Sequence, residues 1–191
     1  MKSVLISIQP KWCELIASGK KTIEVRKTKP KLETPFKVYI YCTYGQGLIK
    51  NNDLCYPNML LDQKVSKNAI WGNCCNGKVI GEFVCDKLVW VVSHPSIFAG
   101  HDLLHKAAIE SACLTTDEAE KYANGKDVYG WHISNLVIYD KPRELREFIK
   151  PCENGLYCES CAMYSEFEEK CYNKALRIKT PPQSWCYVEK G

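Results

Sequence analysis

The sequence has 191 residues, of which 46% are hydrophobic, and a formal net charge of +4. That length suits one domain, or one domain with a small appendage, and the apolar content excludes disorder as the main state. No apolar run approaches the roughly 18 residues needed to span a bilayer. The run Val4–Ile8 is too short for the core of a signal peptide. We therefore expect a cytoplasmic protein without membrane association.

The charge is distributed unevenly along the chain. Residues 1–50 contain ten Lys or Arg and three Asp or Glu, so this segment carries +7 and the remainder −3. Such a one-sided basic balance favours an anionic partner such as a phosphate backbone. A solvated lysine-rich face is the alternative. The excess lies in Lys20, Lys21, Arg26, Lys27, Lys29 and Lys31.

The first 43 residues predict a strand, a helix and two further strands. Val4–Ile8 is typical of a short buried strand, and Pro10 suits the first turn of the following helix. Gly19 suits the end of that helix. Residues 22–27 alternate between apolar and polar side chains, which predicts a strand with one face of each kind. Residues 36–43 form another strand rich in β-formers.

The remainder mixes strands with short helices. Residues 44–77 lack clear periodicity and predict a long loop or insertion, and residues 151–177 predict a second, cysteine-rich insertion. Helices are expected within 101–124, where Thr115 and Glu118 form a capping-box pattern, and at 143–149. Strands are expected at 78–92, 128–139 and 184–189. About six scattered strands and four helices indicate a single α+β domain over 1–191, with a β-barrel rather than a doubly wound sheet.

One motif carries the functional argument. Residues 19–26 follow the pattern G-x-K-x-x-E-x-R, with Lys21, Glu24 and Arg26 at the charged positions. This resembles the signature of the ASCH domain, a member of the PUA-like superfamily. The resemblance extends to the strand and helix before the motif and returns in 129–134 and 181–188. It implies a PUA-like β-barrel that binds RNA or a nucleotide.

The same residues suggest a pocket on physical grounds. Thr22, Glu24 and Arg26 project from one face of a strand, roughly 6.6–7 Å apart along it, and Lys21 lies at its start. Glu24 can accept a hydrogen bond from a base, and Arg26 and Lys21 can donate to a carbonyl or a phosphate. We therefore expect a pocket for a flat heterocycle, with a surface salt-bridge ladder as the alternative.

Two further segments are candidates for completing the site. Trp131 and His132 follow a glycine, and the Trp131 ring is suited to stack on a base. Gln183, Ser184 and Trp185 follow two prolines and offer an amide, a hydroxyl and an indole for base-edge recognition. For both segments, ordinary packing in the core is the alternative interpretation.

Catalysis is a second hypothesis. The PUA-like proteins that this sequence resembles include amidohydrolases that deacetylate N4-acetylcytidine, and some ASCH proteins are described as ribonucleases. In the amidohydrolases a nucleophilic Thr occupies the position of Glu24, and a carboxylate is a poor replacement for it. Lys21 and Glu24 are nonetheless able to act as an acid–base pair, because neighbouring cations lower the pKa of a lysine. A regulatory module with a vestigial pocket is the third hypothesis.

Twelve cysteines are many for this length. Cys42, Cys85 and Cys186 lie in apolar runs, where cysteines are commonly small buried hydrophobes. Four others show the spacing C-x5-C-x2-C-x9-C, and four thiolates suit a closed structural zinc site. An iron–sulfur cluster, free thiols and disulfides are the alternatives. The four are Cys152, Cys158, Cys161 and Cys171.

Overall fold

The computed structural model describes residues 2–44, 76–93, 103–152, 161–165, 167 and 170–189. Within these residues, the larger sheet has five strands in the order β11-β1-β3-β4-β8. Strand β1 pairs in parallel with β3, and the other neighbours are antiparallel. The strands are β1 (Lys2–Ile8), β3 (Phe36–Cys42), β4 (Val79–Cys85), β8 (Ser134–Arg143) and β11 (Trp185–Glu189).

The smaller sheet, as far as the structure describes it, has four strands in the order β2-β7-β5-β6, with antiparallel pairing throughout. Its strands are β2 (Ile23–Arg26), β5 (Leu88–Ser93), β6 (Leu103–Leu104) and β7 (Val128–His132). Strand β2, which carries most of the charged motif, lies at one edge of this sheet. A separate two-stranded ribbon joins β9 (Tyr164–Ser165) to β10 (Lys170–Cys171).

Strand β1 is buried because hydrophobic layers cover both of its faces. Val4, Ile6 and Ile8 contribute to the layer that also contains Trp131. Leu5 points to the opposite layer, which Phe148 helps to form. Neighbouring residues of a strand project to opposite faces, so an unbroken apolar run is required here. The predicted buried strand is thus confirmed.

The described residues contain three short α-helices. Helix α1 (Pro10–Ala17) begins with a proline at its first turn, as expected. Helices α2 (Lys106–Ser111) and α3 (Thr116–Ala123) pack on the smaller sheet and bury alanines against its apolar face. Helix α3 begins with the predicted capping box, since Thr115 and Glu118 exchange side chain–backbone hydrogen bonds.

Two predicted strands are each divided in the structure. The segment 78–92 forms β4 and β5, which belong to different sheets and are separated at Asp86 and Lys87. The segment 128–139 forms β7 and β8, separated at Ile133, and Asn135 takes a left-handed backbone with φ of 47°. β-Propensity does not reveal such changes of sheet, because both halves retain strand-like side chains. The helix predicted at 143–149 is a single 3-10 turn, Leu145–Glu147.

The α+β class is confirmed, whereas a closed six-stranded barrel is not. In the described part of the chain the strands form open sheets of five and four members, linked where β4 leads into β5 and β7 into β8. The insertion predicted at 44–77 lies almost wholly outside the described residues. Among the described helices, none has the length and apolar character needed to cross a membrane.

Candidate ligand-binding site

The charged motif begins at a turn that only a few residue types adopt easily. Gly19 has a φ of +73°, in the region where a side chain is disfavoured. Its N–H donates to the Ile16 carbonyl, and the N–H of Lys21 returns to the Leu15 carbonyl, both at 2.9 Å. The chain thereby reverses from α1 into β2, and Lys21 is placed at the start of the strand.

Glu24 lies between two cations. Its Oε1 is 2.6 Å from Nη1 of Arg26, and its Oε2 is 3.6 Å from Nζ of Lys21. The exposed fractions are 3% for the Lys21 side chain, 4% for Glu24 and 13% for Arg26. The three groups therefore form a buried ion triad rather than a ladder on the surface.

The triad is not fully hydrogen-bonded within the described residues. Arg26 donates through Nη2 to the Ser7 carbonyl at 2.6 Å and through Nη1 to the Val25 carbonyl at 2.9 Å. Oε2 of Glu24 and Nε of Arg26 have no hydrogen-bond partner there. Buried polar atoms without partners are rare and costly in native proteins, so the triad retains unused hydrogen-bonding capacity.

Helices α2 and α3 are joined by a corner that covers the start of β2. Nζ of Lys21 donates to the Ala112 carbonyl at 2.8 Å, and the N–H of Thr22 donates to the Ser111 carbonyl at 2.9 Å. Burial lowers the pKa of Lys21, and the negative charge of Glu24 partly opposes that shift. Lys21 and Ala112 are 91 positions apart in the sequence, and their hydrogen bond holds the ammonium group in place.

The triad lines a cavity of about 340 Å³, within the range of small-molecule sites. Trp12 and Tyr122 contribute aromatic surface, and three cations face two carboxylates. Nζ of Lys21 also lies 5.0 Å from the centre of the Trp12 ring, at a distance typical of a cation–π contact. The lining residues are Trp12, Lys21, Glu24, Val25, Arg26, Leu114, Glu118, Lys121 and Tyr122.

The sequence alone did not reveal the α3 side of this cavity. Glu118, Lys121 and Tyr122 stand three and four residues apart, so one face of the helix carries all three. The spacing is visible in the sequence, but nothing in the sequence predicts that α3 lies opposite residues 21–26. Trp12 of α1 packs against the core and also lines the cavity.

Trp131 and His132 lie elsewhere. Trp131 is completely buried and packs edge-on against Phe36 and Trp185, so the suggestion that it stacks on a base is not supported. His132 is partly exposed, and its Nδ1 lies 2.7 Å from Oδ1 of Asp86. The hydrogen bond with His132 lowers the pKa of Asp86. The two side chains project from opposite faces of β7, and neither is among the cavity-lining residues.

The segment before β11 is near the triad but does not line its cavity. Ser184 accepts a 2.9 Å backbone hydrogen bond from the N–H of Ser7, the residue whose carbonyl binds Arg26. Nε1 of Trp185 donates to the Thr28 hydroxyl at 2.9 Å, and Gln183 is exposed. Thr22 is also exposed and absent from the lining. The structure brings together Lys21, Glu24 and Arg26 only, out of the nine predicted ligand-binding residues.

The cysteine predictions divide into two groups. Cys42 and Cys85 are fully buried and Cys186 is partly buried, as expected of small hydrophobes. Burial raises the pKa of Cys85 to about 12. Of the predicted zinc ligands, Cys158 lies outside the described residues, whereas Cys152 and Cys171 are partly exposed and Cys161 is exposed. Among described residues no group of three or more potential ligands is arranged around a metal position, so zinc remains a prediction.

In its described residues the protein is an α+β domain with two open sheets, three short helices and a charged cavity beside an edge strand. The family model for the ASCH domain matches residues 6–56. A crystal structure of a mutant of ZmASCH from Zymomonas mobilis is similar to the chain, with a TM-score of 0.50 and 17% identity. That likeness covers 100% of this chain and 92% of the other. The resemblance drawn from the motif is confirmed.

A second structure, that of ASCH from Zymomonas mobilis, is 18% identical and has a TM-score of 0.46. This likeness covers 98% of the present chain and 88% of the Zymomonas mobilis chain. No curated protein sequence gives a significant match.

Proposed function

We propose that this ASCH domain binds a nucleobase, in RNA or as a free nucleotide, in the cavity beside β2. The observation that carries the proposal is the convergence of Lys21, Glu24 and Arg26 on one cavity with aromatic walls. The ASCH domain has a PUA-like fold, which is generally linked to RNA binding. The cavity of about 340 Å³ beside the triad leaves room for a ligand, which supports binding over the vestigial-pocket alternative.

The unused capacity of the triad suits a flat polar ligand. Oε2 of Glu24 can accept a hydrogen bond from an amino or imino group, and Nε of Arg26 can donate one. Both atoms are buried, so binding requires a small rearrangement of the side chains around them. The apolar parts of Trp12 and Tyr122 offer surface for the ring.

The charges around the cavity favour a ligand that carries phosphate. Lys27 lies over the Tyr122 ring at 5.3 Å, and Lys121 belongs to the cavity lining. With the other basic residues of 20–31, these cations would follow a phosphate backbone. Binding is therefore expected to weaken steeply as salt rises.

The test is fluorescence anisotropy with a labelled mixed-sequence single-stranded RNA, together with competition by the four nucleoside monophosphates. Tyr122→Ala changes a residue that is 39% exposed, so it removes one cavity wall with little risk to folding. We expect weaker binding for Tyr122→Ala and Glu24→Gln, with Tyr122→Phe close to wild type. Far-ultraviolet circular dichroism verifies that each variant is folded.

The matched control is Glu82→Gln. Glu82 also forms a 2.6 Å ion pair, with Lys37, but in the larger sheet and outside the cavity. Its substitution should leave RNA binding unchanged. The proposal fails if wild type binds none of the probes at low salt, or if the cavity variants bind as tightly as the control.

A second candidate function, hydrolysis of a modified nucleoside or of RNA, is favoured by the lowered pKa of Lys21. A lysine that loses its proton more readily can serve as a general base beside a carboxylate. This candidate predicts turnover of N4-acetylcytidine or of single-stranded RNA that disappears in Lys21→Met. Absence of product from both substrates with the wild-type protein would exclude it for these compounds.

A further inference from the structure

Trp90, Tyr129 and Arg26 form a row across three neighbouring strands of the smaller sheet. Arg26, at one end of this row, lines the cavity. Tyr129 of β7 is paired with Arg26 of β2 on one side and with Trp90 of β5 on the other. Residues directly opposite each other in antiparallel strands project from the same face. Neighbouring strands lie ~4.8 Å apart, so Trp90 is roughly 10 Å from the backbone of Arg26. The row therefore leads from a triad residue to an exposed tryptophan.

The outer end of the row is exposed and aromatic. Trp90 is 41% exposed, an unusual state for the largest apolar side chain. Its ring lies 4.7 Å from that of Tyr129, with an angle of 36° between the two planes. Tyr129 packs against the core from its other side, which fixes the position of the pair. The two rings thus form one aromatic surface.

The row is also basic. Nζ of Lys29 lies 5.1 Å from the centre of the Tyr129 ring, and Lys87 is exposed in the turn just before β5. Lys29 belongs to the basic stretch that also supplies Lys27 at the Tyr122 wall of the cavity. Exposed aromatic rings among lysines are the arrangement with which proteins bind single-stranded nucleic acid. An uncharged apolar surface would instead have favoured a protein partner.

We propose that Trp90 and Tyr129 form a stacking platform for the nucleotide adjacent to the base in the cavity, with Lys29 contacting its phosphate. The platform rests on the proposed function of the cavity and extends it. It identifies the ligand as single-stranded RNA of at least two nucleotides rather than a free nucleoside. A duplex is a poor ligand, because its paired bases are not free to stack on the platform.

The experiment compares Trp90→Ala, Trp90→Phe and wild type in binding to a mononucleotide, to single-stranded RNAs of two, four and six nucleotides, and to a six-base-pair duplex RNA. Wild type should bind the oligonucleotides more tightly than the mononucleotide and the duplex. Trp90→Ala should weaken oligonucleotide binding roughly 5- to 150-fold and leave the mononucleotide unaffected. Trp90→Phe should recover most of the loss. Quenching of tryptophan fluorescence by the oligonucleotide should diminish in both variants.

Phe167→Ala is the matched control, because Phe167 is an almost fully exposed aromatic residue outside the row. It should bind every probe like wild type. Oligonucleotide binding that depends on Glu24 but is unchanged in Trp90→Ala would overturn the platform while the cavity proposal stands. Binding that depends on Trp90 but not on Glu24 or Tyr122 would support stacking and refute the cavity. A change in oligomeric state, measured by light scattering, without a change in RNA binding would show Trp90 to be a protein contact and overturn the platform.

Discussion

Nη1 of Arg26 lies 2.6 Å from Oε1 of Glu24, two residues away on the same strand, and both side chains are shielded from water. Side chains at alternate strand positions share a face, and here Arg26 on that face also donates to the Ser7 carbonyl of β1. The pair therefore constrains the fold, and it also belongs to the proposed ligand-binding cavity. Its disruption should affect both stability and binding.

Glu24→Gln should lower the free energy of unfolding by about 3–5 kcal/mol, because it leaves two buried cations without their counter-charge. Urea denaturation measures the loss. The comparison is Glu82→Gln, where the paired side chains are 36% and 22% exposed and the expected loss is at most about 1 kcal/mol. Equal losses in the two variants would contradict the burial of the triad.

Lys21 should titrate at lower pH than the exposed lysines. Burial lowers its pKa, and Glu24 acts in the opposite direction, so Glu24→Gln should lower that pKa further. Nuclear magnetic resonance of 13C-labelled lysine side chains follows the titration of each ammonium group, with Lys21→Arg used for assignment. A Lys21 pKa that rises in Glu24→Gln would show that the two groups do not interact as described.

Glu82 should make stability depend on acid pH. Burial favours its protonated form, but hydrogen bonds from Lys37 and Tyr139 outweigh burial and hold the pKa below the ordinary 4.5. A carboxyl whose pKa is depressed by folding stabilises the protein above its unfolded-state pKa, and this stabilisation is lost as pH falls through the folded-state value. The stability difference between wild type and Glu82→Gln should therefore be largest above pH 4.5 and shrink below it. Thermal unfolding across this range tests the sign, and a difference that grows on acidification would contradict it.

Gly19→Ala should destabilise the protein by roughly 1–2 kcal/mol through its backbone alone. The position has a φ of +73°, and no atom lies within 4 Å of where a Cβ would be placed. Gly19→Asn should cost less, since asparagine tolerates left-handed backbone. Thermal denaturation of both variants distinguishes backbone strain from crowding. Similar losses in the two would indicate that φ is not the cause.

The cysteine-rich segment is predicted to bind zinc. If Cys152, Cys158, Cys161 and Cys171 bind zinc through four thiolates, the purified chain should contain one zinc ion, measured by elemental mass spectrometry. Cys161→Ser should lose it, whereas Cys113→Ser should retain it. Zinc-free protein from zinc-supplemented expression, with all four thiols open to alkylation, would refute the prediction.

Several local elements could be predicted from the sequence because their causes are local. The buried run of β1, the proline and glycine that bound α1, and the Thr115–Glu118 capping box all depend on residues within one helix turn or strand. The G-x-K-x-x-E-x-R motif likewise identified Lys21, Glu24 and Arg26, three of the five charged residues that line the cavity. These features needed no knowledge of what packs against them.

The surroundings of those three residues depend on how distant parts of the chain pack together. The Ala112 carbonyl binds the Lys21 ammonium group although the two residues are 91 positions apart in the sequence. Helix α3 forms a wall of the cavity, and the helical periodicity of its sequence does not predict that it lies opposite β2. Packing also put Trp131 in the core and Trp90 at the surface, although both lie in strand-like apolar runs. Burial is a property of the assembled sheets, so sequence patterns that describe one strand at a time do not specify it.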